Sequence, residues 1–336
     1  MPKKIVKDEI GGEEIVGEKE IKKKIKNIEE LPGVGEKTAE KLKEQGYEDL
    51  MSIAAASSSE LAERIGIGEA TGVKIIQAAR ESLDIGFETI GKLVKRREHI
   101  GRIKTGSKAL DELIGGGIET QSILEAHGAF GSGKSQLGFQ LAINTLLPKE
   151  QGGLNKGSII IDTEGTLRPE RLQQMGRAVG LDEKEVLKKI YTVRAYNSDH
   201  QILLTEKLPE IIKKNKIGLV VIDSLTSQFR SDYTGRGTLA IRQQKLNKHL
   251  HTLQRIADVH NVAIYVTNQV MSRPNVLFGD PTSPIGGHIL GHQATFRLYL
   301  RKSKGEKRIA RLIDSPSLPE GECVFIVNEK GVRDID

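Results

Sequence analysis

The residues best suited to do chemistry lie in one short glycine-rich stretch. It fits the pattern G-x-x-x-x-G-K-[S/T] and consists of Gly128, Ala129, Phe130, Gly131, Ser132, Gly133, Lys134 and Ser135. In this pattern the glycines let successive backbone N–H groups turn toward phosphate oxygens, the lysine reaches the β- and γ-phosphates, and the hydroxyl binds Mg²⁺. Residues 122–127 fit a strand that enters the loop, and residues 136–143 fit a helix that leaves it. The stretch therefore predicts a nucleoside triphosphate site rather than a glycine-rich turn that fits the pattern by chance.

Three polar residues that follow apolar stretches could complete such a site. Asp223 follows residues 219–222, and a carboxylate at the end of a buried strand would meet the Mg²⁺ of the nucleotide. Glu164 follows another predicted strand and could orient and polarise the attacking water. Gln269 ends a third strand and could contact the γ-phosphate. Asp223 and Glu164 could instead be only polar residues that terminate strands, so the interpretation depends on the phosphate-binding pattern.

Two long segments rich in glycine, proline or arginine are candidates for a nucleic-acid surface. One covers residues 228–237, and the other covers residues 271–292, soon after Gln269. Structureless loops of about twenty residues inside a compact domain are usually functional or disordered. Arginines and glycines in mobile loops suit the phosphates of an extended nucleic-acid strand.

The pattern of apolar residues indicates which elements must position these groups. From residue 105 to residue 336, continuous apolar strands alternate with long amphipathic helices, which predicts an α/β core with a mostly parallel sheet covered on both faces. The last three strands follow each other closely and are expected to be antiparallel at one edge. Strands are predicted at residues 158–162, 190–194, 218–223, 262–267, 295–301, 308–314 and 324–327, and helices at 168–179, 199–214 and 239–259.

The N-terminal part of the chain has a different composition. Residues 1–27 carry eight lysines and six acidic residues without an aromatic residue, which predicts a disordered charged tail. Residues 28–82 contain a repeated apolar-Gly-apolar-Gly pattern that looks like a helix-hairpin-helix unit, whose hairpin points backbone N–H groups at a DNA phosphate. This contact would involve Gly33, Gly35 and Lys37; the alternative is two ordinary turns of a small helical bundle.

Residues 83–104 are predicted to be a linker between the two parts. Phe87 within this stretch is flanked by glycine and has no local core to enter. It must therefore pack on its own core domain or insert into a neighbouring molecule.

The composition excludes several classes of protein. A single cysteine among 336 residues excludes an intramolecular disulfide framework and a cysteine zinc cluster, and it suits a reducing cytoplasm. No apolar run approaches the ~20 residues of a transmembrane helix, and the start of the chain lacks a signal-peptide core, so a membrane role is not expected. The formal net charge of +6 permits a nucleic-acid partner without requiring one.

Taken together, the motifs resemble those of the archaeal RadA recombinases, which are relatives of bacterial RecA. The resemblance covers residues 28–336 and rests on eight motifs in the same order, at residues 106–111, 128–136, 161–166, 233–237, 242–246, 267–270, 286–288 and 314–316. It implies a RecA-like phosphate-loop ATPase core preceded by a small all-α helix-hairpin-helix domain. It also implies a DNA-dependent ATPase and homologous recombinase that forms helical filaments on single-stranded DNA and catalyses homologous pairing and strand exchange in recombinational repair.

The same resemblance implies cofactors, partners and a location. ATP would be held between adjacent subunits together with Mg²⁺, and some filaments of this family also bind K⁺ near the γ-phosphate. The partners would be single-stranded and double-stranded DNA, further copies of this chain in a filament or ring, and recombination mediators or paralogues. A cytoplasmic, nucleoid-associated location is expected.

Roles for particular residues follow from the resemblance as well. Lys134, Glu164 and Gln269 would be catalytic, and Ser135 and Asp223 would hold Mg²⁺. The remaining nucleotide contacts would come from the other residues of the glycine-rich stretch, Gln136, Arg171 against the adenine, His292 at the γ-phosphate, and Asp314 and Pro319 of the neighbouring subunit. The DNA loops would use Arg230, Arg236, Arg242 and Phe278, and self-association would use Phe87 and Ile90.

The chain departs from the family pattern at Ala129, Ser135, Leu167 and Ile90, where the family commonly has Glu, Thr, Phe and Ala. Serine retains a hydroxyl for Mg²⁺, whereas a branched residue at position 90 needs a larger pocket and could alter self-association. Three rival functions share the ATPase core: a paralogue that assists a recombinase, a hexameric helicase, and a signalling ATPase that does not bind DNA. The helix-hairpin-helix pattern, the two candidate DNA loops and residues 314–319 favour the recombinase.

Overall fold

The computed structural model describes residues 25, 27–47, 49–83, 89–272, 282–285, 290–291 and 293–335. Phe87, Phe278, His292 and most of the predicted tail lie outside these residues. The chain divides into two compact units, residues 1–94 and 95–336, and the division falls within the predicted linker. The domain limits at residues 27, 82 and 104 stay predictions.

The first unit is a small helical bundle. Its helices are α1 (Glu36–Glu44), α2 (Leu50–Ala54), α3 (Ser58–Ile65) and α4 (Glu69–Ser82), preceded by a 3₁₀ turn at Ile28–Glu30. Apolar side chains from all four helices form one buried cluster, which includes Leu42, Ile53, Leu61 and Ile75. Helices α3 and α4 approach closely at Gly72, where a Cβ atom would lie 3.1 Å from the carbonyl oxygen of Ser58.

Helix α5 (Ile90–Arg97) follows, and the second unit alternates strands and helices. Its elements are β1 (Arg102–Ile103), α6 (Lys108–Leu113), β2 (Ile118–Glu119), β3 (Ser122–His127), α7 (Lys134–Asn144), β4 (Gly157–Asp162), α8 (Pro169–Ala178), α9 (Glu183–Lys189), β5 (Ile190–Arg194), α10 (Ser198–Asn215), β6 (Ile217–Asp223), α11 (Ser227–Asp232), α12 (Leu239–His260), β7 (Ala263–Asn268), β8 (Val270–Ser272), β9 (Thr282–Pro284), β10 (Phe296–Lys302), β11 (Lys307–Asp314), β12 (Gly321–Asn328) and β13 (Gly331–Arg333). Within the described part of the chain, no helix is both long and apolar enough to span a membrane.

Nine of these strands form one sheet in the order β13-β12-β11-β10-β3-β7-β6-β4-β5. The strands from β10 to β5 run parallel, and β11, β12 and β13 extend the sheet antiparallel beyond β10. Successive strand residues such as Ile123 and Leu124 enter two separate buried clusters. Helices α6 to α9 cover one cluster and α10 to α12 cover the other. The predicted mostly parallel α/β core with two covered faces is therefore confirmed.

The two long segments expected to be loops are partly regular. Helix α11 occupies the first half of residues 228–237. Strand β8 pairs antiparallel with β9, with Val270 opposite Pro284, so a two-stranded ladder forms the base of the second segment. The expectation of a structureless loop from residue 271 to residue 292 was therefore wrong at residues 271–272 and 282–284, because three-residue strands leave little periodicity among glycines and prolines.

Candidate functional site

The glycine-rich stretch forms the turn between β3 and α7, at the carboxyl edge of the sheet. Gly133 adopts a φ of +103° directly before α7, in the left-handed region that favours glycine. The Lys134 ammonium donates hydrogen bonds to the carbonyl oxygens of Gly128 and Ala129, at 2.8 and 3.0 Å. Burial lowers the pKa of Lys134, and the carboxylates of Asp223 and Glu164 oppose this shift. The cation is thus held over the loop and partly removed from water, where phosphate oxygens would stabilise its charge.

A pocket of about 710 Å³ opens beside this loop. Its predicted lining residues are Gly128, Ala129, Phe130, Gly131, Gly133, Lys134, Ser135, Gln136, Glu164, Asp223 and Gln269. Ser132 is 1% exposed, and among the described residues its hydroxyl has no hydrogen-bond partner. A buried hydroxyl without a partner is unfavourable unless water or a ligand satisfies it. The volume and the polar lining both fit a nucleotide.

Asp223 ends β6 and is buried, with 5% exposure. The Thr267 hydroxyl donates a hydrogen bond to its Oδ1 atom. Burial raises the pKa of Asp223, and the hydrogen bond from Thr267 opposes this shift. Both predicted Mg²⁺ ligands, Ser135 and Asp223, line the pocket.

The described residues contain no group of three or more His, Cys, Asp or Glu side chains that could hold a metal ion by themselves. Mg²⁺ in nucleotide enzymes is usually bound by one or two protein oxygens together with substrate phosphates and water. A hydroxyl and one carboxylate beside the phosphate loop fit this mode of binding. The binding of Mg²⁺ at this position would accordingly require a bound nucleotide.

Glu164 and Gln269, predicted from two separate strand ends, contact each other. Glu164 Oε1 accepts a hydrogen bond from Gln269 Nε2 at 2.9 Å and another from the Ser224 hydroxyl at 3.2 Å. The side chain of Glu164 is thereby directed into the pocket beside the phosphate loop. A carboxylate in the pocket beside the phosphate loop is a candidate for orienting an attacking water.

Asp162 is a residue of this site that sequence reasoning missed. It ends β4, and its Oδ1 atom accepts hydrogen bonds from the backbone N–H groups of Glu164, Gly165 and Thr166, at 3.1, 2.7 and 3.3 Å. Its Oδ2 atom accepts one from Leu167 N–H at 3.1 Å. One carboxylate thus organises the whole turn that carries Glu164. The available signal was an Asp directly before a turn, where this residue type often binds the backbone that follows.

Arg171 in α8 is fixed by several hydrogen bonds. Its Nε atom donates to Gln136 Oε1 at 2.8 Å, and its terminal nitrogens donate to the carbonyl oxygens of Asn328 and Glu329 at 2.7 and 2.8 Å. Burial lowers its pKa. The guanidinium plane is therefore held rigidly near the helix that follows the phosphate loop, although Arg171 does not line the pocket.

The other predicted residues that the structure describes are not among those that line this pocket. Asp314 ends β11 and Pro319 lies just before β12, and neither lines the pocket. The remaining described positions are Arg230 in α11, Arg236 in a 3₁₀ turn, Arg242 in α12, Gly33 with a φ of +85°, Gly35 before α1, Lys37 in the first turn of α1, and Ile90 at the start of α5. The exposed fraction of Ile90 is 74%.

The fold and this site together define a phosphate-loop ATPase with a RecA-like core. Residues 96–335 match the Rad51 family model, and residues 25–81 match the model of a SAM-like helix-hairpin-helix tandem. The chain is similar to the DNA repair and recombination protein RadA of Aeropyrum pernix, with 54% identity over 315 residues that cover 94% of this chain and 99% of the relative. The chain therefore belongs to the Rad51 family, whose members are recombinases and DNA-dependent ATPases. The predicted family, fold class, recombinase function and ATPase activity are confirmed, and membership implies that the chain binds ATP and DNA.

Proposed function

We propose that this recombinase assembles as a helical filament on single-stranded DNA, pairs it with a homologous duplex and exchanges the strands. The contact of Gln269 with Glu164 is the observation that carries this proposal. Glu164 lines the nucleotide pocket, and Gln269 is followed directly by β8, the first strand of the ladder at the base of the second candidate DNA loop. The nucleotide and DNA would therefore act on the same short segment, which is what coupling between two binding sites requires.

Five residues in or near the pocket would have a role in the proposed hydrolysis. The Glu164 carboxylate orients the water that attacks the γ-phosphate, and Lys134 offsets the negative charge on the phosphate oxygens. Ser135 and Asp223 would hold Mg²⁺, which supplies positive charge at the β- and γ-phosphates. Arg171 would present its guanidinium plane to the adenine. We also propose that K⁺ binds near the γ-phosphate, and we assign no residue to it.

Gln269 would report the γ-phosphate to the DNA loop. Its amide nitrogen donates to Glu164, and a γ-phosphate oxygen is a charged acceptor that would compete for the same hydrogens. A shift of the amide toward the phosphate would free Glu164 to bind water and would pull on β8. His292, in the same part of the chain, would add a second contact to the γ-phosphate.

Self-association would complete the site. Asp314 and Pro319 of a neighbouring subunit would close over the nucleotide, and Phe87 and Ile90 would join the subunits. The exposure of Ile90 supports its use in a contact with another molecule. We also propose the domain limits at residues 27, 82 and 104, further partners among recombination mediators or paralogues, and a nucleoid-associated location in the cytoplasm.

DNA would be bound by two surfaces. Single-stranded DNA would contact the two loops through Arg230, Arg236, Arg242 and Phe278. The hairpin before α1 would contact DNA phosphates through Gly33, Gly35 and Lys37. Arg230 and Lys37 are exposed, which supports these assignments because exposed cations suit phosphate contacts.

The test is ATP hydrolysis with and without single-stranded DNA, electron microscopy of the same samples, and a strand-exchange assay with a homologous duplex. We expect DNA-stimulated hydrolysis, helical filaments and exchanged product, each dependent on Mg²⁺. Glu164→Gln is the matched control, because it should retain filaments while turnover falls by ~10²-fold or more. DNA-independent turnover without filaments would contradict the proposal and favour an assisting paralogue or a signalling ATPase.

A further inference from the structure

Asn268 lies in a buried polar network that none of the roles above uses. Its side chain is fully buried, and its Nδ2 atom donates to Glu125 Oε1 at 2.8 Å and to the carbonyl oxygen of Ile285 at 2.6 Å. Its Oδ1 atom accepts a hydrogen bond from the Thr226 hydroxyl at 2.7 Å. Both amide hydrogens and the amide oxygen therefore have partners, and these partners come from three different parts of the second unit.

Two of these partners mark the ends of the candidate DNA loops. Thr226 lies directly before α11, the helix that carries Arg230 and leads into the first loop. Ile285 lies directly after β9, where the second loop returns to the core, and its N–H donates to the carbonyl oxygen of Gln269 at 2.9 Å. One amide group thus joins the start of the first loop to the end of the second.

The third partner, Glu125, is a rigid anchor for this amide. Its side chain is fully buried in β3, between β7 and β10. Its second carboxylate oxygen accepts a hydrogen bond from Arg297 Nε at 2.7 Å, and Arg297 is its register partner on β10. A buried carboxylate is tolerated only with partners of this kind, and removal of one partner is strongly unfavourable. The bond between Glu125 and Asn268 therefore resists displacement.

The position of Asn268 in its strand relates this network to the nucleotide pocket. The residue before it, Thr267, binds Asp223, and the residue after it, Gln269, binds Glu164. Successive residues of a strand point to opposite sides, so three consecutive side chains hold the nucleotide pocket on one side and the loop ends on the other. A displacement of either loop end must act on the same three residues.

We infer that Asn268 is a positioning residue that holds the ends of both candidate DNA loops to the segment that bears Gln269. DNA bound in the loops would thereby change the position of the Glu164 carboxylate. The inference rests on the proposed function. Asparagine suits this place because two acceptors and one hydroxyl donor surround it. Aspartate would turn a second carboxylate toward Glu125, and leucine would leave all three partners unsatisfied.

The test uses Thr226, because its substitution removes one bond of the network without touching the pocket. Thr226→Val replaces the hydroxyl by a methyl group of similar size, whereas Thr226→Ser retains the donor. Thr145→Val is the matched control: the buried hydroxyl of Thr145 donates to the carbonyl oxygen of Leu141 at 2.7 Å, far along the chain from either loop. The measurements are ATP turnover with and without single-stranded DNA, the KM for ATP, and the thermal midpoint of each variant.

We expect Thr226→Val to lower the stimulation by DNA roughly tenfold, the factor that corresponds to one lost buried hydrogen bond. Its turnover without DNA and its KM for ATP should stay within about twofold of wild type, since the pocket contacts are retained. Thr226→Ser and Thr145→Val should keep the wild-type stimulation. Should Thr226→Val fail to fold, Thr226→Ala replaces it, because that variant leaves room for a water molecule beside Asn268.

Full stimulation of Thr226→Val by DNA would overturn the inference and leave the proposed function standing. An equal loss in Thr145→Val would also overturn it, because the effect would then follow from lower stability alone. A wild-type protein whose turnover does not respond to DNA would overturn both the proposed function and the inference.

Discussion

Asp162 offers the sharpest test of how the fold positions Glu164, the proposed catalytic carboxylate. Four consecutive backbone N–H groups, from Glu164 to Leu167, donate to its two oxygens. We predict that Asp162→Ala lowers turnover by ~10²-fold, because a shift of about 1 Å in a catalytic group costs that much. The affinity for ATP should change little, since Lys134 and the phosphate loop do not contact Asp162.

The expected loss of stability can be worked from the same four contacts. A hydrogen bond to a charged group contributes about 1.5–3 kcal/mol net, but four bonds to one carboxylate are not additive, and freed N–H groups near the pocket regain water. We expect a loss of about 3 kcal/mol in the free energy of unfolding for Asp162→Ala. In Asp162→Asn the amide oxygen can keep the three hydrogen bonds to Oδ1, whereas the amide nitrogen turns a donor toward Leu167 N–H. We therefore expect about half of the loss in the free energy of unfolding that Asp162→Ala shows.

The assay combines single-turnover hydrolysis, ATP binding measured separately, and urea denaturation. Asp182→Ala is the matched control, because Asp182 also accepts a backbone N–H, from Lys184 at 2.6 Å, at the start of α9 and away from the pocket. That variant should lose some stability and keep its turnover. If Asp162→Ala hydrolyses ATP within twofold of wild type while it loses stability, the carboxylate does not position Glu164 and the reasoning fails.

Three further predictions test other parts of the molecule. Lys134→Ala should abolish hydrolysis while circular dichroism shows a folded protein; unchanged turnover would mean that the active site is elsewhere. Phe87→Glu should yield monomers with a weak ATPase, and filaments of this variant in light scattering would contradict the role of the linker. Burial lowers the pKa of His249 from 6.5 to about 4, so the unfolded chain binds more protons between these values. The free energy of unfolding should therefore fall as the pH drops from 6.5 toward 4, by up to about 1.4 kcal/mol per pH unit. This slope, measured by urea denaturation at several pH values, should be smaller in His249→Gln. Equal slopes in wild type and His249→Gln would refute the prediction.

Much of the nucleotide pocket could be predicted from the sequence because the residues that bind phosphate are contiguous in the chain. The phosphate loop needs glycines, a lysine and a hydroxyl at fixed spacing, and these are local requirements of the backbone. Asp223, Glu164 and Gln269 could be found because each ends an apolar stretch, and the carboxyl ends of parallel strands meet at one edge of a sheet.

Apart from Asp162, whose contacts are local, the residues that sequence reasoning missed depend on which strands become neighbours. Glu125 is one charged residue in an apolar stretch, and its bonds to Asn268 and Arg297 span 143 and 172 residues of the chain. Only the order β10-β3-β7 brings the three together. The short strands β8 and β9 could not be predicted either, because their pairing stabilises them more than their own composition does.

The sequence by itself determined the class of chemistry, since phosphate binding, a strand-end carboxylate and a positioned glutamate follow from residue types and local spacing. The tertiary structure decided how these groups act on one another. The contact between Glu164 and Gln269 and the network around Asn268 arise from strand order and register, which are set by the packing of the whole sheet. Short-range patterns carry no information on which distant strands pair, and that pairing joins the nucleotide pocket to the ends of the two loops.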